Sequence, residues 1–263
     1  MAYPSSLVGS KSRPVRRLIR RECTRDGYAQ QAYYCMSKSN GIGTLREQSL
    51  HAGLKAYLAQ PGDTVEKLVD GYHIDIQRGD LLIEIQTKNF SMIKRKLAAL
   101  LEGHKVLLVH PVAQAKWIVR RNRRGKQVAR RKSPAQGRAE NVFRELIRMP
   151  ALATHPNLSL ELLFTHEEEI WRDDGQGSWR RGKWSIEDRR LLQVVGAQRI
   201  EGREGFLGLL PKRLPEPFTN KQLAKALKIR PDLATKMTYC LRKMGALEVV
   251  GKDGRSYLFG RLA

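Results

Sequence analysis

The 263-residue chain carries 49 Lys and Arg against 26 Asp and Glu, a formal net charge of +23. A surplus that large exceeds what solubility requires and points to a polyanionic partner. Three cysteines (Cys23, Cys35, Cys240) far apart exclude a disulfide framework and a Cys-rich zinc site, and no apolar run approaches the eighteen residues of a membrane span. Without a signal peptide's apolar core at the N-terminus, the expected location is cytoplasmic, associated with the nucleoid, with no membrane partner.

The charge is unevenly spread. Residues 1–40 carry 8 basic and 2 acidic side chains, 41–112 carry 9 and 8, 113–148 carry 12 and 2, and 211–263 carry 12 and 4. Near-neutral sequence is thus flanked by strongly basic sequence. The first 40 residues, with Arg16, Arg17, Arg20 and Arg21, read either as a disordered tail or as an arm that follows a phosphate backbone.

A helix is predicted from Thr44 to Ala59, with Leu50, Leu54 and Leu58 as its apolar stripe. Glu47 falls on that stripe. It either completes a capping box with Thr44 or stands as an acid facing the next element. Residues 68–77 and 81–88 then alternate with period two, an antiparallel hairpin. A loop at Arg78-Gly79 pairs Asp75 with Leu82 and leaves Asp75 and Glu84 as diagonal neighbours on one face, roughly 7–8 Å apart at Cα. Two carboxylates so placed repel unless a cation sits between them, and a divalent metal is the simplest one. The plainer reading is the solvated face of an edge hairpin, where charge discourages aggregation.

Ser91 is expected to cap a helix over Met92–Glu102. The apolar run Val106–Val109 follows as a strand buried on both faces and ended by His110-Pro111. Strand, helix, buried strand makes a parallel crossover.

At this point the order of elements and acids resembles the core of the PD-(D/E)xK nuclease superfamily, the restriction-endonuclease-like fold. The resemblance covers roughly residues 41–112 and a further strand near 158–165. It implies an α/β domain with a mixed central sheet, Asp75 and Glu84 as ligands of Mg²⁺ or Mn²⁺, and Glu47 as an auxiliary acid. The family's lysine two residues after the second acid is replaced by Gln86, which cannot transfer a proton at neutral pH. Gln86 then only positions, and Lys88, or a lysine of the next helix (Lys94 or Lys96), supplies the missing cation.

Residues 113–135 read as a basic β-ribbon inserted in this domain, with Arg120, Arg121, Arg123, Arg124, Lys126, Arg130 and Arg131 placed for phosphates or base edges. A helix is expected over Arg138–Met149 and a strand over Leu158–Phe164, with Glu167-Glu168-Glu169 as its solvated end. Arg180, Arg181 and Lys183 beside Trp179 and Trp184 suit either base stacking or simple hairpin packing. Residues 186–210 give no clear pattern.

Pro211–Pro217 reads as a linker. The helix, turn, helix and Asp253-Gly254 hairpin beyond it look like a small winged helix-turn-helix domain. Its second helix presents Thr235, Lys236, Thr238, Tyr239, Arg242 and Lys243, and its wing Lys252 and Arg255. The expected organisation is therefore an arm (1–40), a nuclease-like domain (41–210) and a winged helix (211–263). The expected activity is metal-dependent endonucleolytic cleavage of DNA, double-stranded first. The alternative is a catalytically inactive DNA-binding regulator or architectural protein that keeps the fold. RNA is a further candidate partner, because a basic surface does not distinguish it.

Overall fold

The computed structural model describes residues 49–262. The N-terminal arm, Cys23, Cys35, Thr44 and Glu47 lie outside them. Helix α1 (Ser49–Leu58) buries Leu50 and Leu54 completely. Strands β1 (Thr64–Val69), β2 (Tyr72–Arg78) and β3 (Leu81–Ile85) form an antiparallel meander. Helix α2 (Lys94–Leu101) carries the chain over to β4 (Lys105–Arg121), which pairs parallel to β3. Ile93, Leu97, Leu100 and Leu101 are all buried, as their spacing predicts. Ser91 does not cap α2: it sits inside a short 3₁₀ turn (Phe90–Met92), and the helix starts two residues beyond that turn.

His110-Pro111 does not end β4, which runs 17 residues and turns at residues 122–126 into β5 (Gln127–Lys132). Pro111 fits a strand interior here because its nitrogen faces the β3 side, where pairing has ended at Val109, while on the other side β4 continues beside a second parallel strand, β6 (Leu158–Arg172). The helix expected over 138–149 is shorter: a 3₁₀ turn followed by α3 (Phe143–Leu146). The unpatterned stretch holds β7 (Ser185–Glu201), antiparallel to β6, and α4 (Gly202–Leu207). The sheet is mixed, in the order β1-β2-β3-β4-β6-β7 with β5 on the outer part of β4. Its helices lie on both faces. Leu50 and Leu54 pack with Ile76, Ile83, Ile85, Leu107, Val109 and Leu163 on one face. The α2 leucines pack with Ile74, Leu82, Val106, Leu108 and Leu160 on the other. The protein is thus α/β.

Helix α5 (Asn220–Leu227) is capped by Thr219, whose hydroxyl accepts the Gln222 amide while the Gln222 side chain accepts the Thr219 amide. Helix α6 (Pro231–Lys243) follows, then the hairpin β8 (Leu247–Asp253) and β9 (Ser256–Arg261). Ala234, Met237, Leu241 and Met244 are buried as expected. Thr238 is buried too rather than outward, because its hydroxyl donates to Asn220 at 2.7 Å and ties α6 to α5. Cys240 is a free thiol, pushed up to about 12 by burial. These elements share one apolar cluster with α2, α3 and the sheet, and Leu214 is buried, so the expected linker is a packed connection. Among the described residues no helix is long and apolar enough to cross a membrane.

Candidate functional site

The hairpin loop is Gly79-Asp80, with Gly79 in the left-handed region (φ +54°), rather than Arg78-Gly79. Register therefore differs from the sequence expectation: Gln77 faces Leu82 and Ile76 faces Ile83. Continued by one step, it sets Asp75 across from Glu84 instead of on the diagonal.

The ladder stops at that step. Asp75 turns its carboxylate onto the Ile85 amide (2.8 Å), and Glu66 of β1 takes φ +55° between the pairs flanking Asp75. Alternation slips by one residue here. Ile74 packs on the α2 face while Ile76 packs on the α1 face. The two carboxylates consequently do not share a simple face. Asp75 leans to α1, with His51 Nε2 at 3.2 Å and Lys55 Nζ at 3.6 Å. Glu84 follows Leu82 to the α2 side and receives Lys96 Nζ at 2.6 Å.

Their protonation is driven apart. Burial opposes the Asp75 charge, but the His51 hydrogen bond and charge, the Ile85 amide and Lys55 outweigh it and hold the carboxyl below its ordinary range. Burial and the neighbouring Asp75 charge push Glu84 up, and Lys96 and the Asp75 backbone amide offset only part of this. Glu84 is 6 % exposed, and its second oxygen, Oε2, is buried with no hydrogen-bond partner. A carboxylate oxygen left so is costly unless a proton or a cation completes it.

Gln86 is not in this cluster. Its amide donates to the carbonyls of Lys88 and Asn89 and fastens the loop after β3. Lys88 is exposed and lines a separate cleft of about 340 Å³ with Lys116, Glu169 and Arg189. Lys94 is exposed. Of the lysines weighed as substitutes, Lys96 is the one that the fold brings to the acids, through the packing of α2. Among the described residues no three His, Cys, Asp or Glu side chains converge as a metal cage.

Sequence reasoning missed two sets of residues. His51 and Lys55 carry no motif of their own, but their spacing of four placed them on one helical face. Glu167-Glu168-Glu169 is not a solvated end, because β6 continues through it. Glu167 is fully buried, accepting Thr165 (2.7 Å) and Arg189 (2.7 Å). Glu169 accepts Trp171 Nε1 (2.7 Å) and Lys116 (2.8 Å), which hold its carboxyl low against the opposing burial. Glu168 points the other way, to Arg130. The period-two pattern Thr165, Glu167, Glu169, Trp171 was the available signal. Nearby His110 is buried; its Nδ1–H donates to the Gln86 carbonyl (2.7 Å), and burial depresses its pKa.

The expected basic surface divides in two. Arg120 is half-buried between Trp171 and Trp184, at 5.9 and 5.1 Å from the ring centroids, so it packs the sheet end rather than standing free. Arg121 lies 3.8 Å from Glu187, and Arg130 is paired with Glu168 and stacked on Trp117. Arg123, Arg124, Lys126 and Arg131 are exposed. On α6, Thr235, Tyr239, Arg242 and Lys243 are exposed along one face, while Lys236 is half-buried beside Asp232. Lys252 and Arg255 are exposed on the last hairpin.

The acids, their cations and the basic ribbon all fall within residues 48–201, which match a family described as "Domain of unknown function (DUF8091)". The chain belongs to that family. It is similar to an uncharacterized protein of Treponema pallidum (strain Nichols), 34 % identical over 185 residues, spanning 70 % of this chain and 74 % of that one. No solved structure matches.

Proposed function

We propose that the protein is a metal-dependent phosphodiesterase acting on nucleic acid, DNA first, on a restriction-endonuclease-like core with a C-terminal winged helix and in association with the nucleoid. The observation that carries this reading is the buried, partnerless Glu84 Oε2 beside Asp75, with Lys96 at 2.6 Å. Asp75 and Glu84 are hard oxygen donors suited to Mg²⁺ or Mn²⁺. Such an ion supplies Lewis-acid stabilisation of charge on phosphate oxygens. Within the chain, His51 orients Asp75, and Lys96 holds Glu84 while adding a fixed positive charge where the family's motif lysine is absent. The ribbon tip and the exposed face of α6 grip the phosphate backbone.

One observation favours the second reading, a binding-only regulator. His51 and Lys55 offset Asp75 and Lys96 pairs with one oxygen of Glu84, so much of the cluster's charge is matched by the chain's own cations.

Supercoiled plasmid incubated with purified protein separates the two. Cleavage in Mg²⁺ or Mn²⁺ but not in EDTA is expected. It should fall by at least about 100-fold in Asp75→Asn and Glu84→Gln and at least about 10-fold in Lys96→Met, with duplex binding unchanged. Wild-type protein that binds duplex through Tyr239 and Arg242 yet never cuts it establishes the regulator instead. Matched RNA cut in preference to DNA reassigns the substrate.

A further inference from the structure

We infer that Trp179 is a stacking platform for an unpaired base of single-stranded nucleic acid, set beside a basic ribbon tip that holds the adjoining phosphates. This rests on the nucleic-acid part of the proposed function, but not on cleavage.

The four tryptophans divide three to one. Trp117 packs against His166 with Arg130 and Lys132 over its ring, Trp171 is buried, and Trp184 is half-buried with Arg120 stacked on it. Trp179 is 80 % exposed, the highest value among the exposed large apolar side chains of the described residues. Among the described residues its one ring contact is Arg180, whose guanidinium lies 5.4 Å from the centroid. Packing therefore does not account for an indole here, whereas a base offers it a π-face to cover.

The loop that carries the ring is also braced. The loop closes on itself through Gly177 N–H to the Lys183 carbonyl (2.7 Å), Lys183 N–H to Ser178 (3.1 Å) and Gly182 N–H to Trp179 (3.0 Å). Any side chain at Gly177 would collide with the Trp184 carbonyl, its Cβ falling 1.7 Å from that oxygen. A braced loop loses less freedom on binding than a mobile one.

Its surroundings suit a polyanion. Because β4 and β6 run parallel, Arg121 lies beside Arg172, and Asp173 N–H donates to the Arg121 carbonyl (3.1 Å). Ribbon tip and tryptophan loop therefore end at the same edge of the sheet. Between Arg120 and Lys132 there are eight basic and no acidic residues. Two of the three local acids are already engaged: Asp174 accepts Ser185 and the Gln176 amide, and Glu187 faces Arg121 and Arg172, which leaves Asp173 as the one acid of the loop without a side-chain partner among the described residues. Arg123, Arg124 and Lys126 are left facing solvent at that same end of the sheet.

The test is equilibrium binding of the full chain to fluorescent dT12, U12 and a 12-base-pair duplex in EDTA, where no metal-dependent cutting occurs. Trp179→Ala is expected to bind the single strand about five- to a hundred-fold more weakly, with the duplex unchanged. Its salt dependence should match wild type, because no charge is removed. Trp179→Phe should stay within a few-fold of wild type. Arg123→Ala/Arg124→Ala should instead weaken both partners and lower the single-strand salt slope by about 1.4. The relative losses on dT12 and U12 identify DNA or RNA as the source of the base. The proposal is overturned if wild type does not bind single strands, if Trp179→Ala binds them as wild type does or loses strand and duplex alike, or if Trp179→Phe is as weak as Trp179→Ala. Failure of plasmid cleavage leaves this measurement untouched, so the two readings fail separately.

Discussion

The acids of the sheet interior and the arginines of its outer end follow opposite rules. Glu84, Glu167 and Glu169 are buried, and each has a cation from another element: Lys96, Arg189 and Lys116. Arg123, Arg124 and Arg131 are exposed and have no ion pair among the described residues. A buried charge must be matched on the spot, because desolvation costs several kcal/mol per ion. An exposed one is matched by solvent and salt until a polyanion displaces them. The unmatched positive charge of the ribbon is therefore a property of the rim.

The sharpest way to break this contrast is at β6. Glu167→Ala strips the half-buried Arg189 of its ion pair and leaves the Thr165 hydroxyl without its acceptor, and should cost about 2–4 kcal/mol in urea unfolding. Glu168→Ala, one residue on but paired at the surface, should cost under about 1 kcal/mol. Equal losses would show that burial does not set the rule.

Asp75 and Glu84 test it within one cluster. Asp75→Asn should cost about 1.5–3 kcal/mol at neutral pH. Asp75 has a folded pKa below its ordinary value, so the stability it adds is present above the unfolded-state value and lost as pH falls through the folded one. The gap between wild type and Asp75→Asn should close in acid. Glu84 has a raised folded pKa, so its contribution is complete below the unfolded-state value and lost as pH rises through the folded one. In metal-free buffer Glu84→Gln should melt higher than wild type at pH 8 and lose that advantage near pH 4. Thermal melts across pH read both slopes, and parallel slopes would refute the assignment.

Smaller effects are expected among the arginines. Arg120→Ala should cost about 0.5–2 kcal/mol by removing the guanidinium from between two indoles. Arg123→Ala/Arg124→Ala should change stability by under about 0.5 kcal/mol while lowering the duplex salt slope by about 1.8.

Much of the architecture was legible. The alternation of β3, the α2 stripe, the crossover to β4 and the basic ribbon are all local patterns, and local patterns survive folding. The candidate site was legible only in part. Asp75 and Glu84 stood out as acids among Ile and Leu, but their register depended on whether the loop began at Arg78 or Gly79, a one-residue choice that alternation cannot make. Lys96 was one of several lysines within reach, and only the seating of α2 singles it out. Glu167 and Glu169 read as solvated because three consecutive acids mask a period of two.

By itself, then, the amino-acid order determined most of the helices and strands before residue 185 and after residue 218 but not β7 or α4, and it determined that the molecule carries an excess of positive charge. Tertiary structure alone decided which charges meet. His51 joins Asp75, Lys96 joins Glu84, Arg189 joins Glu167, and Arg120 is taken out of the basic surface by two tryptophans. The reason is range. Secondary structure is settled by neighbours a few residues apart, whereas an ion pair across a sheet joins groups tens of residues apart, whose meeting is fixed only when the layers pack.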